Sequence, residues 1–104
     1  MDWKSPENKR LIEAILALES PDEAERFLRD LLTEKEIEEF GKRFQTAELL
    51  LENVPYSAIE EKTGLSSTTV ARVSKWLKGE GGGYRNIIKK LQHHSSVVRA
   101  RGLR

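Results

Sequence analysis

The sequence predicts an all-α protein of six helices with no strand. Three observations carry this. Apolar residues recur at three- and four-residue spacing, helix-start signals stand at Ser5-Pro6, Ser20-Pro21 and Thr33 with Glu36, and charged residues reach 34% against 7% aromatics. A chain of 104 residues needs one domain, placed here at residues 1–91, with residues 92–104 expected to form a disordered tail. With little apolar surplus, such a small helical domain gains from self-association.

The first helix opens with Ser5 as cap and Pro6 in its first turn, and runs to about Leu18. Leu11, Ile12, Ile15, Leu16 and Leu18 spread around most of its surface, so it needs burial on several sides. Ser20, with Glu23 three residues on, begins a second helix through a capping box; Phe27, Leu28, Leu31 and Leu32 form its apolar face. Thr33 and Glu36 form another box and start the longest helix, with Ile37, Phe40, Phe44, Ala47, Leu50, Leu51 and Val54 at helical spacing. Leu49, Leu50 and Leu51 are consecutive and point about 100° apart, more than one face can bury. A dimer interface is the economical explanation.

Pro55 restarts the chain for a short helix, Tyr56 to Lys62, with Ile59 inward. Thr63-Gly64-Leu65 breaks it, and Ser66 caps a fifth helix carrying Val70, Val73 and Leu77 on one face. Gly79 to Gly83 forms a loop. A last helix begins near Tyr84, with Ile87, Ile88 and Leu91 apolar, and the following HHSSVVRARGLR shows no helical period.

Charge is distributed unevenly. Residues 1–53 carry 14 acids and 8 bases, a balance of −6, whereas residues 54–104 carry 3 acids and 10 bases, a balance of +7. From Ser66 onward Glu80 is the only acid. Charge alone leaves two readings open, a solvated basic tail or a surface for a polyanion.

The segment from Pro55 to Lys78 favours the second, because a short helix, a glycine corner and a longer helix make a helix-turn-helix. Such a fifth helix suits the major groove. Ser67, Thr68, Thr69 and Ala71 would lie near base edges, and Arg72, Lys75 and Lys78 near phosphates. Backbone amides at Ser66 and Ser67 would add anion-binding capacity at the helix start.

At these residues the chain resembles the Trp repressor superfamily, most closely its YerC/YecD branch. The likeness covers about residues 20–91, and TGLSSTTVARVSKWL followed by GEGGGY is its specific part. It implies an intertwined homodimer that binds DNA through the helix-turn-helix. Ser67, Thr68, Thr69 and Ala71 match positions that face DNA, and Ser57 and Glu60 match positions that are basic in the tryptophan-responsive members. Their change of character implies a different operator preference. Thr33, Arg43 and Arg72 match the groups that hold tryptophan in those members. Val73 and Trp76, however, replace small residues that leave room for the ligand's indole, and the Trp76 ring is expected to occupy that space. Tryptophan is therefore not the expected effector, and Arg43 and Arg72 are expected to pair with nearby glutamates.

Other chemistries find little support. Zero cysteines exclude disulfides and thiolate sites. His93-His94 lacks a third ligand nearby, the glycine loop lacks the ending of a nucleotide-binding loop, and Glu34, Glu36, Glu38 and Glu39 suit a helix start rather than a catalytic pair. No cofactor, metal or enzymatic activity is expected, and the N-terminus lacks the apolar stretch of a signal peptide, so a cytoplasmic location is expected. The sequence thus points to a cytoplasmic, sequence-specific transcriptional regulator, expected to be a repressor, with double-stranded DNA and a second copy of itself as partners. The alternative is a protein-interaction module that keeps the helix-turn-helix shape without specific DNA readout.

Overall fold

A computed structural model describes the backbone of residues 1–100 and the side chains of residues 1–93. The described residues form six α-helices and no strand: α1 (Pro6–Leu16), α2 (Pro21–Leu31), α3 (Glu34–Leu51), α4 (Tyr56–Thr63), α5 (Ser67–Lys78) and α6 (Gly83–Ala100). Where one domain is expected over residues 1–91, the chain divides into two compact units, one from Met1 to Ile37 and one from Glu38 onward.

In the first unit the caps act as the sequence predicts. The Ser5 hydroxyl accepts the Asn8 amide at 3.3 Å, and Ser20 accepts that of Glu23 at 3.1 Å. The Glu23 carboxylate reaches back to the Glu19 amide at 3.3 Å, one residue before the cap. Helix α1 stops at Leu16, short of the expected Leu18. Ala17 and Leu18 already turn more tightly, and Ser20 is extended before Pro21. No residue of α1 or α2 is buried, and Ile15 and Leu16 remain 46% and 78% exposed. These helices carry apolar surface without a core of their own.

The second unit holds the core. Ala47 of α3, Val73 and Leu77 of α5, and Ile88 of α6 cluster with Phe44, Leu50 and Tyr84 packed against them. The Phe44 and Tyr84 rings meet tilted, centroids 6.4 Å apart. Helix α4 packs on α5 and α5 on α6, with Ile59 and Val70 fully buried. Helix α3 ends in a Schellman motif: Asn53 takes φ 62°, its amide bonds Leu50 O at 3.0 Å, and the Val54 amide bonds Leu49 O at 3.1 Å.

Helix α6 begins at Gly83 and its described backbone continues to Ala100, past Leu91 where the sequence reading ends it. The region expected to be a disordered tail thus includes further helix. No Gly or Pro falls between Tyr84 and Ala100, so nothing local stops propagation before Gly102. Residues 101–104 and the side chain of His94 lie outside the described residues.

Candidate nucleic-acid interface

The corner between α4 and α5 is built from three residues. Gly64 takes φ 77° and ψ 4°, the left-handed conformation that ends α4, and its amide reaches Glu60 O at 2.8 Å. Thr63, whose role the sequence does not reveal, is buried beside it. Its hydroxyl donates to Ile59 O at 2.8 Å and accepts the Leu65 amide at 3.2 Å, stitching both sides of the turn. Ser66 is extended, and its hydroxyl accepts the Thr69 amide at 3.2 Å, starting α5.

Helix α5 then separates two kinds of side chain. Val70, Val73, Ser74 and Leu77 are buried, whereas Ser67, Thr68, Ala71, Arg72, Lys75, Trp76 and Lys78 are exposed. Thr68, Ala71, Arg72, Lys75 and Trp76 line one shallow, open depression on the outer face. Ser57 is exposed on α4, outside that depression. Thr69 is half-buried, and its hydroxyl lies 3.1 Å from that of Ser66, so local capping occupies both groups.

The outer face is basic and has free donors. There is no acidic residue in the first turn of α5, so the helix dipole at its N-terminus is not offset there. Among the described residues, Arg72, Lys75 and Lys78 have no carboxylate within ion-pair distance. For Arg72 this corrects the expected ion pair, because its position on the outer face faces no acidic neighbour. Arg43 does form its expected pair, with Glu39 at 3.3 Å. Its guanidinium carbon also sits 5.6 Å from the centre of the Phe40 ring, and its Nε is buried without a hydrogen-bond partner among the described residues.

The expected ligand pocket is not filled as predicted. Trp76 is 68% exposed, on the open face beside Arg72 and Lys75, rather than inserted into an interior space. The helical phase explains this: Val73 and Leu77 point to the core, and Trp76 is turned about 100° from Leu77. Thr33 is committed to its capping box. Its hydroxyl accepts the Glu36 amide at 3.1 Å, while its amide and hydroxyl donate to the Glu36 carboxylate at 2.9 and 3.0 Å. These donors hold the exposed Glu36 carboxyl below its ordinary pKa, the backbone hydrogen bond from Thr33 contributing most.

One contact at the far end of α5 is absent from the sequence reading. Arg85, in the first turn of α6, donates to Leu77 O at 2.8 Å and to Gly79 O at 3.0 Å. A cation in a first turn opposes that helix's own dipole, and this local mismatch is the signal that could have marked it.

No helix among the described residues is long and apolar enough to cross a membrane. The chain is 32% identical over 89 residues to the uncharacterized protein YerC of Bacillus subtilis (strain 168), covering 86% of each. Its fold is similar to the crystal structure of a TrpR-like protein from Eubacterium eligens ATCC 27750, with a TM-score of 0.83 and 37% identity, covering 86% of this chain and 93% of that one. A candidate Trp repressor from Staphylococcus aureus superposes with a TM-score of 0.82 at 29% identity, covering 88% of this chain and 95% of that one. The model of the Trp repressor protein family matches residues 7–92, and the chain belongs to that family.

Proposed function

We propose that this protein is a sequence-specific DNA-binding regulator of transcription, acting as a homodimer and as a repressor. The observation that carries the proposal is the division of α5, whose inner face is anchored in the core while Thr68, Ala71, Arg72 and Lys75 stand together on its open outer face. Such a helix offers hydroxyl, methyl and cationic groups to a major groove, and the Gly64 corner sets its angle.

Dimerisation is supported by apolar side chains left uncovered in the single chain. Ile15 and Leu16 of α1, Leu31 of α2, Phe40 and Leu51 of α3, and Ile87 and Leu91 of α6 are all exposed. Apolar side chains exposed on several helices suit an interaction surface. A two-fold dimer predicts a near-palindromic operator with half-sites about 34–36 Å apart. The same reading sets free tryptophan aside as effector: by the resemblance Val73 stands where the tryptophan-binding members have a small residue, and its burial in the core supports this.

Selection of bound fragments from genomic DNA, using the purified protein, tests the proposal. Enrichment of a near-palindromic sequence is the expected result. Recovery without sequence preference replaces operator binding with general DNA binding, and no recovery of DNA turns the outer face of α5 toward a protein partner.

A further inference from the structure

We infer that Arg85 is a positioning residue for DNA readout, a guanidinium clamp that fixes the C-terminal end of α5 against the start of α6. This inference rests on the proposed DNA-binding role of α5. The two nitrogens of its fork reach Leu77 O at 2.8 Å and Gly79 O at 3.0 Å, groups on either side of the helix end. The last carbonyls of a helix lack intrahelical partners, and here a cation supplies donors where the dipole is negative. Gly79 itself is extended, with φ −70° and ψ 167°, so α5 ends without a left-handed cap.

The turn of the loop lies beside the clamp. Gly82 takes φ 68° and is buried; a Cβ there would stand 3.3 Å from the Asn86 amide nitrogen and 3.5 Å from an Arg85 guanidinium nitrogen. Glycine therefore lets the chain turn at Gly82 while the Arg85 fork lies beneath it. Both ends of α5 are thus tied, by Ser66 at the start and by Arg85 at the end. A reading helix held at both ends keeps its outer side chains in one register with the groove, a register that a small rotation would lose.

The geometry also distinguishes arginine from lysine. A planar fork serves two carbonyls at once, whereas an ammonium on a flexible stem is a point donor. Arg85→Lys therefore keeps the charge and loses the two-point hold.

The experiment compares wild type, Arg85→Lys and Arg85→Ala by fluorescence anisotropy on the selected fragment and on scrambled DNA, over a range of salt, with thermal melting of each variant. The expected result is a loss of about tenfold or more on the selected fragment in both variants, the scale of one or two hydrogen bonds to a charged group. Binding to scrambled DNA should stay near wild type, and the salt slope should be unchanged. A loss on both DNAs with a slope reduced by about 1.8 per dimer, about 0.9 for each subunit's Arg85, restored by Arg85→Lys, would make Arg85 a phosphate contact and overturn the inference. Unchanged affinity in both variants also overturns it. Amide exchange without DNA separates the clamp from the regulator reading. If Trp76 to Gly79 exchange no faster in Arg85→Lys and Arg85→Ala the clamp fails, whereas faster exchange in a protein that binds no DNA leaves the clamp standing and removes the DNA-binding reading.

Discussion

The Ser66 hydroxyl accepts the Thr69 amide at 3.2 Å and lies 3.1 Å from the Thr69 hydroxyl. Neighbouring threonines on α5 are thereby given different tasks. Thr69 is spent on the cap, while Thr68 stands on the outer face with no side-chain hydrogen bond among the described residues. Thr68→Ala should leave the urea midpoint close to wild type and weaken binding to the selected fragment by about tenfold or more. Ser66→Ala should instead cost about 1 kcal/mol of stability, read as a lower urea midpoint at constant m. Equal effects of the two variants on stability would contradict this division.

At the corner, Gly64 has open space around the position of a Cβ, so any penalty for a side chain there comes from the backbone alone. Gly64→Ala should destabilise by about 1–2 kcal/mol, the cost of a left-handed conformation. Gly64→Asn should cost less, because asparagine tolerates that region. Equilibrium unfolding of both variants checks the order, and equal losses would place the cost elsewhere.

Glu36 supplies a pH signature. Its carboxyl titrates below its ordinary value when folded, because the Thr33 amide and hydroxyl bond its charged form. A group lowered on folding contributes stability above its unfolded value and loses it as pH falls through the folded one. The start of α3 should therefore be held at neutral pH and loosen on acidification. Carboxyl-resolved NMR titration should find Glu36 lower in the folded than in the unfolded chain. Thr33→Ala removes the hydroxyl donor and keeps the amide, the larger cause, so it should return Glu36 only part of the way toward the ordinary range, and a titration unmoved by that substitution would leave the hydroxyl without a share in the shift.

Leu16 is 78% exposed on α1, and its removal should cost the single chain almost nothing. If α1 lies in a dimer interface, Leu16→Asp should shift the protein from dimer toward monomer in sedimentation at micromolar concentration. A wild-type protein that sediments as a monomer throughout would remove the dimer.

Much of the fold is legible because its signals are local. Ser5, Ser20, Thr33 and Ser66 each cap a helix that the sequence places, and Val70, Val73 and Leu77 turn inward as their spacing implies. Contacts between elements are harder to read. Asn53 ends α3 in a left-handed conformation that glycine more often takes, and Arg85 closes α5 from the next helix, eight residues beyond Leu77. Trp76 shows the same limit: its size suggests a filled space, but its phase on α5 turns it outward. The tail beyond Leu91 reads as irregular because its apolar residues lack a period, yet helix persists where no residue breaks it.

Anisotropy on the selected fragment between 50 and 200 mM salt, with wild type beside an Arg72→Ala, Lys75→Ala double variant, decides whether the outer face of α5 binds DNA. If α5 lies along DNA with six to ten phosphates neutralised per dimer, wild-type affinity should fall on the order of a thousandfold or more. The double variant should bind less tightly with a shallower slope. A wild-type affinity indifferent to salt, or a double variant matching wild type at every salt concentration, would mean that α5 does not carry DNA binding.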